Sequence, residues 1–365
     1  MGNNGNYEDS LYAVSINYLY DGIVIQEDVY DADAVLLLIK RGSTLSSKDI
    51  ERIKNINAGR DTIHVSSHTY KTLIDQDPSI TQVSRREMED TTGYTTVKDE
   101  TFELLDKIAN KKSVKQEALY SVSEELSNRL EVTNPSTIIA LINALAPVDE
   151  YLQRHCINVS LLNGLLGRWL GLPKRDIDKL ILVGLLHDCG KALIPPRVLN
   201  APRKLTIIEF EVIKMHPIYT FDLLAEFPKS VRFASRGHHE KVNGTGYPDR
   251  LATEKIPFEA RITAVSDIYD AMVSQRAYKK PNSPFWILSM LNKLKDSDLD
   301  ANLVKVFNEN MPLELINKPV MMSNGLVGIV RSFDPNDLEF PMIEIRGHVI
   351  KSSEHLFCTS MYSKE

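Results

Sequence analysis

From about Ser136 to Phe307 the apolar residues recur at helical spacing and no stretch alternates convincingly as a strand would. That half of the chain is therefore expected to fold as packed helices, over 136–147, 148–170, 174–188, 206–224, 228–239, 256–275 and 283–293. Thr206-Ile207-Ile208-Glu209 reads as a capping box that starts one of them, and Gly171 with Pro173 stops another. Five of the nine histidines fall in this region. They are His155, His187, His216, His238 and His239, each on or at the end of an expected helix.

The central stretch is Leu185-Leu186-His187-Asp188-Cys189-Gly190-Lys191, where an apolar run ends in an imidazole and a carboxylate. A buried carboxylate must be paired, hydrogen-bonded or metal-bound, because an uncompensated charge in a low-dielectric interior is very unfavourable. The plain alternative is a solvated helix terminus with Gly190 as its C-cap. The other histidines weigh against it. With Asp188 and Asp267 they make seven candidate ligands, a number that two metal ions sharing one bridging carboxylate account for. Imidazole mixed with carboxylate suits iron, manganese, zinc or nickel, and the lack of thiolates argues against a structural zinc site.

Two further motifs follow. His238-His239-Glu240 runs into Gly244-Thr245-Gly246-Tyr247-Pro248, a tight loop whose glycines let backbone amides approach an anion and whose proline stiffens the exit. Asp267 and Asp270 are three residues apart, hence on one helix face. Arg276, Tyr278, Lys279 and Lys280 come next and supply cationic and aromatic groups for a phosphate- and base-bearing ligand.

Elsewhere the chain reads differently. Residues from about Asp9 to Tyr70 form a small α/β module, with strands at Ala13–Ile16, Gly22–Ile25, Leu36–Ile39 and Thr62–Val65 and a helix capped by Ser46 or Ser47. His64 and His68 lie there without carboxylate partners and are read as structural. A polar linker covers Asp75 to about Glu100. Helical spacing then returns at Phe102, Leu104, Leu105 and Ile108 and at Ala118, Val122, Leu126 and Leu130, a connecting helix or a homodimer contact. After Pro312, strands are expected at Pro319–Met322, Gly328–Val330 and Met342–Ile345, with Ser323-Asn324-Gly325 as a hairpin turn. The resulting division is 1–75, 76–133, 134–312 and 313–365.

Composition narrows the partners. Lys and Arg number 43 against 49 Asp and Glu, a net charge of −6, so no global basic field favours a nucleic-acid polymer or an anionic membrane. No apolar run approaches the roughly 20 residues that span a bilayer. The polar start lacks a signal-peptide pattern, and the three cysteines are scattered. Together these point to a cytoplasmic protein.

His187-Asp188-Cys189-Gly190-Lys191 with Ile194-Pro195, then His216-Pro217, His238-His239-Glu240, Gly244–Pro248 and Asp267-Ile268-Tyr269-Asp270-Ala271 resemble, in this order, the HD-GYP family. These are bacterial cyclic di-GMP phosphodiesterases of the HD phosphohydrolase superfamily, and the resemblance covers roughly residues 135–350. It implies a mainly α fold: a helical HD-domain bundle, a small N-terminal α/β domain and a short β-rich C-terminal tail. It implies two divalent ions, iron foremost, with manganese or nickel as alternatives. One would take His155, His187, Asp188 and Asp267, the other Asp188, His216, His238 and His239. Lys191 would face the substrate phosphate and act with Asp188 in catalysis. Asp270, Arg276 and Lys279 would touch the nucleotide, with Gly246 and Tyr247 among the substrate contacts. Two ions about 3.5–4 Å apart can activate a bridging hydroxide for in-line attack, giving the linear dinucleotide pGpG. Some members bind a third metal through a Glu where this chain has Tyr151, which argues for a dinuclear centre. A cyclic-di-GMP sensor without activity, or an HD enzyme for another cyclic dinucleotide, are the rivals.

Overall fold

The computed structural model describes residues 11–15, 19, 21–30, 37–56, 62–66, 99–108, 110, 116–143, 151–201, 203–273 and 282–361. Arg276 and Lys279 lie outside the described residues, as do most of the linker and the side chain of Tyr151. The chain divides into two compact units. One comprises residues 1–84, 317–332 and 342–362, the other 85–316 with 333–341 and the last three residues.

In the first unit β1 (Leu11–Ser15) pairs antiparallel with β4 (Thr62–Ser66), and β2 (Val29–Tyr30) with β3 (Leu37–Ile39). The helix α1 (Ser47–Ile56) starts as expected: Asp49 accepts from the Ser46 amide and hydroxyl at 2.9 and 2.6 Å. The stretch 22–25 pairs with 42–45 as expected of an extended segment, though through bridges rather than a continuous strand. Val24 bridges to Thr44, the Gly22 and Ile25 amides donate to Leu45 and Ser43, and the Leu45 and Gly42 amides donate back to Ile23 and Ile25. Ile23 and Ile25 turn inward into a core with Leu19, Val29, Ile39, Leu45, Ile50 and Ile53. The C-terminal strands are β5 (Pro319–Met322), β6 (Val327–Asp334), β7 (Asp337–Ile345), β8 (His348–Lys351) and β9 (Cys358–Met361), in the order β8-β7-β6-β5-β9. The hairpin turn closes through the Gly325 amide, which donates to Met322 at 2.9 Å.

The second unit is helical. Its elements are residues 99–108, α2 (Gln116–Val132), α3 (Pro135–Asn143), α4 (Tyr151–Trp169), α5 (Lys174–Leu186), α6 (Pro196–Leu199), α7 (Ile207–Ile213), α8 (His216–Leu223), α9 (Lys229–Arg236), α10 (Phe258–Val273), α11 (Pro284–Leu294) and α12 (Ala301–Leu315). The stripe Leu119, Val122, Leu126 and Leu130 is buried and α2 packs on α5, so that apolar face is occupied within its own unit. Helix α10 is buried nearly all round, from Ala260 to Val273, and lies against α4 and α5.

Two differences from the expected helices shape the site. The run 206–224 is broken at Lys214-Met215. Pro217 has no N–H for the Ile213 carbonyl and its ring would clash there, so α7 stops at Ile213 and a new helix starts at His216. The capping box at Thr206 and Glu209 forms as expected. Secondly, α5 ends at Leu186, with His187 as its C-cap, and a 3-10 turn (Cys189–Leu193) replaces the expected continuation to 188. Helix α12 is additional; Asp300 caps it by accepting from the Asn302 and Leu303 amides at 3.0 and 3.3 Å.

Candidate metal centre

Four histidines and a carboxylate meet where these helices end. The helix terminus at His187-Asp188 is not solvated: both residues are fully buried, as is His216, and His155 and His238 are nearly so. Gly190 is inside the 3-10 turn rather than at a helix cap. A Cβ there would lie 2.1 Å from the His216 carbonyl oxygen and 2.5 Å from the Thr220 amide, so only glycine permits this approach of the turn to α8. The Gly190 amide donates to Thr220 Oγ1 at 2.9 Å, and that hydroxyl donates to the His187 carbonyl at 3.1 Å.

One local device recurs three times. A helix leaves its last carbonyls without intrahelical donors, and here a histidine three residues on supplies one. His187 Nδ1 donates to Gly184 O at 2.7 Å, His216 Nδ1 to Ile213 O at 2.7 Å, and His238 Nδ1 to Ser235 O at 2.6 Å. A carbonyl only accepts, so each Nδ1 carries a proton, and the neutral form of each ring offers Nε2 as its ligand atom. The negative ends of α5, α7 and α9 thus converge on one point, which favours a cation there.

His155 on α4 is held differently. Its Nδ1 lies 2.6 Å from Asp270 Oδ2, and Asp270 Oδ1 accepts from Asn158 Nδ2 at 2.8 Å. Its Nε2 faces Asp267 Oδ1 at 3.1 Å and Asp188 Oδ2 at 3.5 Å. The pair Asp267 and Asp270 therefore grips both ring nitrogens from one face of α10.

Asp188 stands at the middle. Its Oδ2 lies 3.4 Å from His187 Nε2, and its Oδ1 lies 3.2 Å from His216 Nε2 and 3.7 Å from His238 Nε2. The Nε2 atoms of His216 and His238 are themselves 3.3 Å apart. In their neutral, Nδ1-protonated form these rings set lone pairs against lone pairs, and His187 Nε2 and Asp188 Oδ1 are buried without a hydrogen-bond partner. Cations among these atoms turn the same contacts from repulsive to ligating. The ligating atoms fall into two groups, Asp188 with His216, His238 and His239, and His155 with His187 and Asp267, each within 4.8 Å. The donor set fits two divalent ions of the borderline type that take imidazole and carboxylate.

The local charges suit ligation. Burial, and then the neighbouring imidazoles His239, His187 and His216, hold His238 well below the ordinary histidine range. Burial likewise takes His239 down to about 3, against an upward pull from Asp267. For Asp188 burial is the largest influence and raises the carboxyl, but Lys191, His187 and His155 together keep it well below the usual range. Asp267 behaves alike, with His155 the chief partner. Neutral imidazoles and ionised carboxylates are the forms that bind metal.

The remaining sequence expectations distribute around this centre. Lys191 Nζ lies 2.5 Å from Asp188 Oδ2 and is one-fifth exposed. Tyr247 stacks on His239, ring centroids 4.7 Å apart at 28°. Gly246 is buried, and a Cβ on it would lie 2.4 Å from the Lys241 amide and 2.5 Å from Glu240 Cα. Close packing on the paired-histidine segment thus requires glycine at this position. Asp270 needs the plainer correction: fully buried behind His155, it does not face a nucleotide.

Several residues without a site role in the sequence reading support the centre. Glu240 accepts from the Asp249 and Leu251 amides at 2.6 and 2.8 Å and so pins the loop, while Arg236 grips Asp249 with two bonds of 2.7 Å. Asn158 and Thr220 were missed too, although Asn158 is three residues after His155 and Thr220 four after His216, on the same helix faces. Lys214, with its ammonium 5.8 Å from the Tyr247 ring centroid, is a further cation near the loop.

Comparison with known proteins agrees with this geometry. Residues 137–303 match the HD domain family. Cyclic di-GMP phosphodiesterase PA4108 of Pseudomonas aeruginosa is 32% identical over 215 residues, 58% of this chain and 51% of that one. The cyclic di-GMP phosphodiesterase response regulator RpfG of Xanthomonas campestris is 38% identical over 175 residues, 46% of each chain. The chain thus spans about half the length of the curated relatives it matches. Among solved structures, Bd1817, an HDG"Y"P protein from Bdellovibrio bacteriovorus, shares the fold: TM-score 0.52 at 16% identity, over 83% of this chain and 100% of that one. Residues 137–303 of the chain therefore carry an HD domain, and over that stretch the chain is similar to these cyclic di-GMP phosphodiesterases.

Proposed function

We propose that the chain is a phosphodiesterase that hydrolyses one ester bond of cyclic di-GMP to give linear pGpG, at a centre holding two divalent ions. The observation that carries this reading is the set of bare imidazole nitrogens turned on the two oxygens of Asp188, an arrangement that cations reconcile. His155, His187 and Asp267 hold one ion, His216, His238 and His239 the other, and Asp188 serves both. Bound there, the ions supply a water of lowered pKa and neutralise charge on the phosphoryl group. Lys191, partly exposed beside Asp188, places an ammonium where it can meet a phosphate oxygen. Tyr247, stacked on His239, walls the centre on the loop side. The relatives named for cyclic di-GMP support the choice of substrate.

The test is to strip the chain with a chelator, reload it with iron, manganese or nickel, and follow cyclic di-GMP and a mixed cyclic dinucleotide by chromatography. Metal-dependent appearance of pGpG, abolished in Asp188→Ala, is expected. Binding of cyclic di-GMP without turnover under any of the three metals would replace this reading with that of a sensor.

A further inference from the structure

Among the four buried histidines, His155 alone leans on a carboxylate. His187, His216 and His238 are anchored by neutral carbonyls that the helix ends leave over. His155 Nδ1 is anchored by Asp270, fully buried, whose other oxygen accepts from Asn158, one turn along α4. A hydrogen bond to an ionised acceptor is about twice as strong as one to a neutral acceptor, and it raises the basicity of the far ring nitrogen. That far nitrogen, Nε2, is 3.1 Å from Asp267 Oδ1. The orientation of the ring and its strength as a ligand are therefore both set from α10, through residues three apart.

We propose that Asp270 is a positioning residue: by holding the His155 ring it sets the affinity of the His155–His187–Asp267 half of the centre for its ion and leaves the other half unaffected. The inference rests on the two-metal reading above. Its chemistry is the binding of a divalent cation and needs no substrate.

The experiment titrates Mn2+ into the chelator-stripped full chain by calorimetry, with electron paramagnetic resonance to distinguish isolated from coupled manganese. Wild type should bind two equivalents. In Asp270→Ala one equivalent should weaken about 10–100-fold while the other keeps its wild-type affinity. Asp270→Asn should recover most of the loss, because its amide oxygen still accepts from His155 Nδ1. The double variant Asp270→Ala/His155→Ala should bind no more weakly than His155→Ala alone, a non-additivity that general destabilisation would not produce. Equal weakening of both equivalents, no weakening, or additive losses would overturn the assignment. Should Asp270→Ala not fold, Asn158→Ala removes the donor that orients the carboxylate. A several-fold loss confined to one equivalent is then expected, and an even loss or none overturns the assignment. A wild type that binds two ions yet leaves cyclic di-GMP intact would refute the phosphodiesterase reading alone; one that binds fewer than two refutes both.

Discussion

Replacing Asp188 by asparagine separates two electrostatic states of the centre by the sign of a stability change. Asp188 Oδ1 is 3.2 Å from His216 Nε2 and 3.7 Å from His238 Nε2; Oδ2 is 3.4 Å from His187 Nε2 and 3.5 Å from His155 Nε2. With Nδ1 of each ring protonated, all four contacts oppose lone pairs in chelated protein. An amide turned with its NH2 toward His216 makes an N–H···N hydrogen bond worth about 1 kcal/mol net. It also removes a buried carboxylate whose effective desolvation penalty is several kcal/mol. Against this stands the lost pair with Lys191, roughly 2 kcal/mol for a charged hydrogen bond, less because Lys191 is partly hydrated. The balance favours the variant by about 1–3 kcal/mol, or roughly 2–10 °C for a unit of this size. If the histidines were instead protonated and paired with Asp188, breaking the pairs would cost about 3–5 kcal/mol and lower the midpoint. Thermal unfolding followed by circular dichroism at pH 7.5 in chelator reads the sign. A variant that melts well below chelated wild type would refute the account of facing lone pairs. Added Mn2+ should then raise wild type by about 2.7 kcal/mol per site at 100 times Kd and raise the variant by less.

Three further outcomes are expected. Gly190→Ala should destabilise by about 1–3 kcal/mol or more, read from the urea midpoint, because its Cβ meets backbone atoms of α8 that have no room to yield; a neutral result would contradict the close approach. His238 and His239 are held neutral in the fold, the latter down to about 3, whereas unfolded histidines take protons near pH 6.5. The unfolded state therefore binds more protons below that value, so chelated-protein stability should fall as pH drops from about 6.5 toward 3; a rise would show histidines charged in the fold. Cys156, Cys189 and Cys358 are buried, and burial pushes the thiols up, Cys189 and Cys358 to about 12. Iodoacetamide at pH 7.5 should label none in native protein and all three in urea; native labelling of any one would contradict that burial.

Much of the centre was legible because its residues announce themselves by type and spacing. His187-Asp188 closing an apolar run, the His238-His239 pair and Asp267 three residues before Asp270 need no long-range information to be noticed. What each side chain touches was not legible. Asp270 meets a histidine 115 residues away, so its place behind the ring, rather than before a nucleotide, emerges only when α4 and α10 are packed. The carbonyls that orient three histidines are backbone atoms, present at every residue, and become acceptors only where a helix stops. One stop could have been read: Pro217 forbids a continuous helix over 206–224. The N-terminal stretch 22–25 has the composition of a strand and does pair with 42–45, but only over a few residues, while Ile23 and Ile25 pack into the core. Helix α12 begins inside the region of helical spacing that runs to Phe307, and Asp300 before an apolar run is its readable cap.

The count of ions at the centre tests the account most directly. Elemental analysis of the full chain after reloading and exhaustive desalting should find two divalent ions per chain in wild type, and one or none once Asp188, which serves both halves, is changed to alanine. Wild type that retains fewer than two, or an Asp188→Ala variant that retains both, would contradict a two-metal centre built on that carboxylate.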